Sequence, residues 1–513
     1  MNRCTRKAHT LCAMLLLILL LFCMTACSAF FDSSLGGVED VTFKADGPQR
    51  ETEAESESLN EVESETENIF SAESNEKSES EAETETETET ETETETETET
   101  ETERKPDGTL PFVPDHPEAI DTDWKAIWLT QFDLQTALTT PAGTQRTATE
   151  LRARVSVMLD NVISDGFNTV ILQMRPNADS MYPSEYYPPS TYAVGDYGNG
   201  FAYDPIAIVV EMCRDRGLAV HAWINPLRSV TDENMQKISD AYLIKQWYND
   251  STKNGRYIVS VNGMWYLNPA EPEVKALIAD GIEEILEKYD VDGLHMDDYF
   301  YPTTDPSFDA DSYTAYLTGG GTANLADWRR SNLDTLVAEL YATVKTHDLR
   351  ALFGISPSAN LHTVYNEHYA NVYNWCENPG YLDYICPQIY FGFEHETFDF
   401  VKVCADWSNI IKTDYVSLVV GLTFHKAVNA ADGINDPYAG SGKQEWMEHH
   451  DILARSLTHT ETLDKCVGVT VFCYQHIYAE TGAWLDKSQQ EHAAFAEKLA
   501  TVTWHKKNDG EDD

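Results

Sequence analysis

The run Asp292-Gly293-Leu294-His295-Met296-Asp297-Asp298-Tyr299-Phe300-Tyr301-Pro302 carries the residue types best suited to chemistry in this chain. It begins as a buried parallel strand would and ends in adjacent carboxylates followed by aromatic rings. Side chains alternate along a strand. That places His295, Asp297 and Tyr299 on one face, with Met296 and Asp298 on the other. A carboxylate ending a barrel strand stands at the barrel mouth, and a pair of carboxyl groups, one protonated and one ionised, is what glycoside cleavage uses. Because alternation turns the two aspartates apart, Asp297 is expected as the nucleophile or as the stabiliser of a cationic transition state. Asp298 is then the acid on a bent strand end, or the group that orients Asp297. Glu367, Glu394 and Glu396 are alternative acids. The plainer reading of an Asp-Asp pair is a cap on the loop that follows.

Such residues need a scaffold. Short apolar runs predict strands at Lys125–Gln131, Thr169–Arg175, Ala219–Asn225, Gly293–Tyr299, Ala351–Ser356, Tyr384–Tyr390, Ser417–Leu422 and Gly468–Tyr474. Amphipathic stretches between them predict helices at Thr149–Asp165, Asp204–Arg216, Pro272–Tyr289 and Asn332–Thr346. Gly166 and Gly217 stand where a helix-ending glycine belongs. Eight strands alternating with helices point to a (β/α)8 TIM-like barrel. The alternative, a doubly wound open sheet, lacks a Gly-x-Gly-x-x-Gly after any strand.

Polar and aromatic residues gather after one predicted strand after another, as the catalytic face of a barrel requires. The expected substrate-binding residues are Arg175, His221, Trp223, Asn225, Arg228, His295, Tyr299, Gln388, Tyr390 and Tyr474. Trp223, Tyr299, Tyr390 and Tyr474 offer rings to sugar faces, with core packing as their other reading. Arg175 and His221 are expected to supply charge and hydrogen bonds that keep Asp297 ionised. The Tyr-, Pro- and Gly-rich segment 180–203 reads as a long loop over the mouth.

The rest of the chain speaks of location. Residues 1–27 carry Arg3, Arg6 and Lys7, an apolar run from Leu11 to Met24 and the close Met24-Thr25-Ala26-Cys27. This is a signal segment resembling the bacterial lipobox, with Cys27 as the lipidated residue. Residues 28–120 form a linker. From Glu51 to Glu103 it holds 23 Glu against Lys77, a net of −22 of the chain's −50, and ten Glu-Thr pairs run from Glu83 to Thr102. Such a tract cannot bury a core and is expected to be disordered and extended. The roughly 75 residues after Cys27 could reach on the order of 250 Å. The barrel domain takes 121–505, and 506–513 is an acidic tail. The acidic balance excludes nucleic acid as a partner. Six cysteines outside the signal segment show no metal-ligand spacing. No metal or cofactor is expected.

These residues together resemble a family of bacterial glycosyl-hydrolase-like lipoproteins, the family-ten-like group. The matching pieces are Ala126-Ile127-Trp128-Leu129-Thr130, Asn168-Thr169-Val170, Gln173-Met174-Arg175-Pro176, His221-Ala222-Trp223-Ile224-Asn225-Pro226 and Tyr266-Leu267-Asn268-Pro269. Asp292–Pro302 and Pro387-Gln388-Ile389-Tyr390 complete the set. The resemblance implies an exported (β/α)8 glycosidase on wall or surface glycan, with peptidoglycan strands the leading substrate. The same acidic strand also looks like the fourth strand of the α-amylase superfamily, with Asp297 at the nucleophile position. His295 stands where that superfamily has Arg, and the fifth strand ends in Ser356-Pro357-Ser358 without its Glu. It looks like the chitinase motif too, with Tyr299 in place of the catalytic Glu; an N-acetyl group on the substrate would then assist cleavage. Two other classes compete: a catalytically silent glycan-binding barrel, and a metal-dependent hydrolase using Asp297, Asp298, His221 or His295.

Overall fold

The computed structural model describes residues 110–114, 119–298, 300–433 and 441–504. Cys27, the signal segment, nearly all of the linker, Tyr299 and the acidic tail lie outside the described residues. Among the described residues there are eleven strands: β1 (Trp124–Leu129), β2 (Thr169–Arg175), β3 (Ala219–Ile224), β4 (Arg228–Thr231), β5 (Ile258–Val261), β6 (Met264–Leu267), β7 (Gly293–Met296), β8 (Leu352–Ile355), β9 (Tyr384–Ile385), β10 (Ser417–Thr423) and β11 (Cys466–Phe472). Eight of them close into a parallel barrel in the order β1-β11-β10-β9-β8-β7-β3-β2. All eight predicted strands are barrel strands, and the fold is the expected (β/α)8 barrel.

Helices return the chain from one strand to the next, and their ends follow local chemistry. The helix Ala148–Ser164 opens on a complete capping box between Thr147 and Glu150 and ends before Gly166, whose φ is +89°. Pro205–Arg214 opens on the Asp204 side chain with Pro at its first position. The predicted helix at Asn332–Thr346 is longer, Leu325–His347, because Asn324 caps it about two turns earlier by accepting from Asp327 N–H. That extra length carries Arg329, which forks onto Asp309 at 2.6 and 2.9 Å with both side chains fully buried. The pair packs beside Tyr301, whose ring centroid lies 5.2 Å from the guanidinium, and so braces the segment just beyond Asp297.

Three differences bear on the site. Strand β9 is two residues long, not seven, because Pro387 has no N–H to continue the ladder; Gln388 then rejoins by isolated bridges to Ser358 and Gly421. Strands β7 and β11 end at Met296 and Phe472, short of Tyr299 and Tyr474. Between β3 and β7 an unforeseen three-stranded antiparallel sheet, β4-β6-β5, is inserted. Its β5–β6 hairpin turns on Asn262 and Gly263 at φ +53° and +79°, the two positive values a type I′ turn needs.

Most of the core lies between strands and helices, but a second cluster fills the barrel itself: Trp124, Ala126, Trp128, Ile171, Trp223, Tyr384 and Cys386 among others. All six cysteines of the barrel domain are buried free thiols. The segment 180–203 is only partly at the mouth. Ser184 donates to Glu284 at 2.6 Å and the Tyr187 hydroxyl to Leu277 O at 3.0 Å, which pins its first half against the helix Pro272–Lys288. Its second half brings Tyr192 edge-on to Phe132, just after β1, at 5.4 Å.

Candidate active site

Asp297 follows the last residue of β7 and is buried at the mouth. The Trp223 indole Nε1–H donates to its Oδ2 at 3.2 Å. Neighbouring registers explain the contact: β3 and β7 pair Trp223 with His295, so the indole needs to rise by only one inward position to meet Asp297. Asp298, half-buried, begins the loop that follows.

Below Asp297 the barrel is filled by rings joined in one direction. The Trp128 Nε1–H donates to His295 Nε2 at 3.3 Å, so the His295 proton resides on Nδ1 and is given to the Tyr384 hydroxyl at 3.0 Å. That hydroxyl donates in turn to His221 Nδ1 at 3.3 Å. Two glycines make room. A Cβ on Gly354 would stand 2.0 Å from the Tyr384 ring, and one on Gly293 would stand 2.6 Å from His221. Burial pushes the His221 imidazole down to about 3 and holds His295 well below the usual histidine range. Both are therefore neutral. The expectation that His221 lends positive charge to Asp297 is corrected, because an imidazole sealed inside the barrel does not take up the second proton that would charge it.

Arg175 is corrected as well. The β2–β3 register slips between Gln173 and Arg175, and this bulge re-aims the side chain. Its guanidinium lies 4.5 Å from the Tyr187 ring centroid and against Gly281 of the helix Pro272–Lys288. It braces the wall instead of facing Asp297. Gln173 takes the inward place. Gln131 N–H donates to its Oε1 at 2.7 Å and its Nε2 donates to Asn225 Oδ1 at 2.9 Å, an amide belt across the ends of β1, β2 and β3.

The remaining expected residues separate into two sets. Gln388 is half-buried and donates from Nε2 to Ser356 O at 3.1 Å, while the Tyr390 ring lies 6.0 Å from Phe472. Arg228 is half-buried where β4 begins, and its charge acts on Asp179, Tyr192 and Tyr266. Tyr474 has left the mouth. The chain turns into a 3-10 helix (Tyr474–His476) once β11 ends, so its ring lies tilted against Tyr478 at 4.6 Å and its hydroxyl accepts from Asn161 Nδ2 at 3.0 Å.

Of the alternative acids, Glu394 and Glu396 are exposed, and half-buried Glu367 accepts from the Thr363 hydroxyl at 3.4 Å. Two carboxylates that were not foreseen are fully enclosed after the first two strands. Burial pushes Asp133 and Asp179 each up to about 6, against hydrogen bonds that favour their charged forms. Asp133 accepts from Thr130 N–H, Thr130 hydroxyl and Gln475 N–H, each at 2.8 Å, which ties the ends of β1 and β11 together. Its place three residues after Thr130 is a capping-box spacing and could have been read as such. Asp179 takes Asn177 N–H at 3.0 Å and the Tyr197 hydroxyl at 3.1 Å. Among the described residues no three His, Cys, Asp or Glu side chains converge as metal ligands.

The arrangement has relatives. The family described as glycosyl hydrolase-like 10 matches residues 123–440. Glycosyl hydrolase YngK of Bacillus subtilis is 32% identical over 333 residues, which cover 61% of this chain and 62% of that protein. Glycosyl hydrolase DigH of Escherichia coli O6:H1 is 30% identical over 332 residues, 61% of this chain and 73% of its own length. The match thus spans less than two thirds of YngK. Among solved structures, the glycoside hydrolase domain of PgaB (BpsB) from Bordetella bronchiseptica shares the fold, with a TM-score of 0.50 at 12% identity, over 75% of this chain and 100% of that one.

Proposed function

Since the chain belongs to the glycosyl hydrolase-like 10 family, we propose that it is a glycoside hydrolase acting on bacterial wall or surface polysaccharide, with peptidoglycan glycan strands as the substrate. The observation that carries this reading is Asp297, a carboxylate buried at the end of a barrel strand, at the mouth, where it accepts the Trp223 indole N–H. Asp297 faces the anomeric carbon as nucleophile, or as the anion that steadies the oxocarbenium-like transition state. Trp223 fixes its rotamer, and the amide belt of Gln131, Gln173 and Asn225 borders the space beside it. Asp298 is the acid at the start of the loop. With an amino-sugar substrate, the N-acetyl group can do the work of a second carboxylate.

The protein is exported and lipid-anchored through Cys27 to the outer face of the cell membrane. The Glu/Thr-rich linker is the spacer between that anchor and the barrel. The deciding experiment incubates the protein with peptide-free and peptide-bearing wall glycan, beside an Asp297→Asn variant, and analyses the products. Shorter glycans from the parent and none from the variant support the assignment. Glycan retained by both but cleaved by neither would make this a binding barrel.

A further inference from the structure

The mouth has a second side that the carboxylates do not explain. In the barrel order, three strands separate β7 from β11 in either direction, so the end of β11 stands diametrically across from Asp297. Its last residue is Phe472. The inward alternation of β11 is marked by Thr470, whose hydroxyl accepts from Trp124 Nε1 inside the barrel at 3.0 Å, and Phe472 shares that face one step higher. It packs against the interior cluster without being sealed by it. The Trp128 ring lies 6.1 Å away, Tyr390 6.0 Å and His476 5.7 Å, while Trp128 in turn lies 5.7 Å from His295, directly below Asp297. Trp128 therefore spans the floor from the carboxylate's side to the phenylalanine's side. Phe472, Tyr390 and His476 are all half-buried, and none of the three is among the fully buried residues of the core below.

We propose that Phe472, backed by Tyr390 and His476, is a stacking subsite for one pyranose ring of the glycan, set across the mouth from Asp297. The proposal rests on the glycan reading above and adds to it the place where a neighbouring sugar is held. A pyranose presents axial C–H bonds on one face, and the electron-rich face of an aromatic ring attracts them. His476 brings an uncharged imidazole, because burial and the His425 ring beside it hold its proton affinity down to about 3. A neutral ring can hydrogen-bond to a sugar hydroxyl without favouring an anionic ligand. The subsite thus suits an uncharged pyranose face, with specificity for ring orientation more than for charge.

The test uses the full-length protein and peptide-free wall glycan, with three variants at one position. Phe472→Ala and Phe472→Leu both remove the aromatic face, the second while keeping the apolar bulk that supports Trp128; Phe472→Trp enlarges the face. The expected result is a rise in KM of about tenfold for Ala and Leu, the size of one aromatic contact, exceeding any fall in kcat, with Trp close to the parent. An unchanged KM in Phe472→Leu overturns the subsite and leaves the glycosidase reading intact. If the parent retains glycan without cleaving it, the glycosidase reading fails and binding becomes the readout: lost retention in Phe472→Leu upholds the subsite, unchanged retention overturns it. A parent that neither cleaves nor retains glycan overturns both.

Discussion

Trp223 and Asp297 meet through one hydrogen bond, indole Nε1–H to carboxylate Oδ2 at 3.2 Å, between the ends of adjacent strands β3 and β7. A hydrogen bond to an ionised group inside a protein contributes about 1.5–3 kcal/mol. Trp223→Phe keeps an aromatic ring and deletes only the donor. It is expected to lower kcat/KM by roughly 10- to 100-fold, measured as glycan cleavage, whereas Asp297→Asn abolishes cleavage. Equal rates for Trp223→Phe and the parent would remove the indole from the mechanism.

The enclosed His221 makes stability depend on pH in a calculable direction. Its folded value, about 3, lies below the roughly 6.5 of an unfolded histidine, so the unfolded chain binds more protons between these values. Stability from this residue is complete above pH 6.5 and is lost as pH falls toward 3. The raised carboxylates Asp133 and Asp179 act oppositely over about pH 4–6, so the comparison must cancel them. Between pH 7 and pH 4, the parent should lose on the order of 3 kcal/mol more than His221→Gln, read from denaturant unfolding. Parallel pH curves would show that His221 titrates normally.

The Arg329–Asp309 fork is fully buried with both partners present. Asp309→Ala leaves an uncompensated guanidinium and should cost about 3–5 kcal/mol. The double variant Asp309→Leu with Arg329→Met should recover most of that, since it removes both charges. Chemical denaturation of the single and double variants gives the comparison. A single variant as stable as the parent would show that water or another group already compensates the arginine.

The anchor proposal makes a prediction about location. The parent should partition with membranes and resist extraction by high salt, while Cys27→Ala should be processed differently and be recovered in the soluble fraction. Radiolabelled fatty acid should enter the parent only. Label in neither protein would discard the lipobox reading.

The barrel was legible because a parallel sheet buried on both faces writes its strands as apolar runs, and eight of them stand out from Trp124 to Phe472. The overrun predicted past the ends of β7, β9 and β11 has physical reasons. Pro387 ends the β9 ladder, the chain leaves β7 at the Asp297-Asp298 pair, and it leaves β11 while its residues are still apolar or aromatic. Arg175 misled for a related reason: a one-residue bulge re-aims a side chain and leaves no mark in composition. The inserted β4-β6-β5 sheet had a local mark, Asn262-Gly263, but its four-residue strands are too short to show a period. The neutrality of His221 and His295 belongs to no local pattern. It follows from closure of the barrel around them.

The ring chain from Trp128 through His295 and Tyr384 to His221 spends each of its protons on the next acceptor. Both imidazoles are neutral and the chain begins in an indole, so the floor of the site offers no acid to the sugar above it. Whatever proton reaches the departing sugar oxygen must enter from the loops, and variation in those loops can retune the acid while Asp297 and everything beneath it stay fixed.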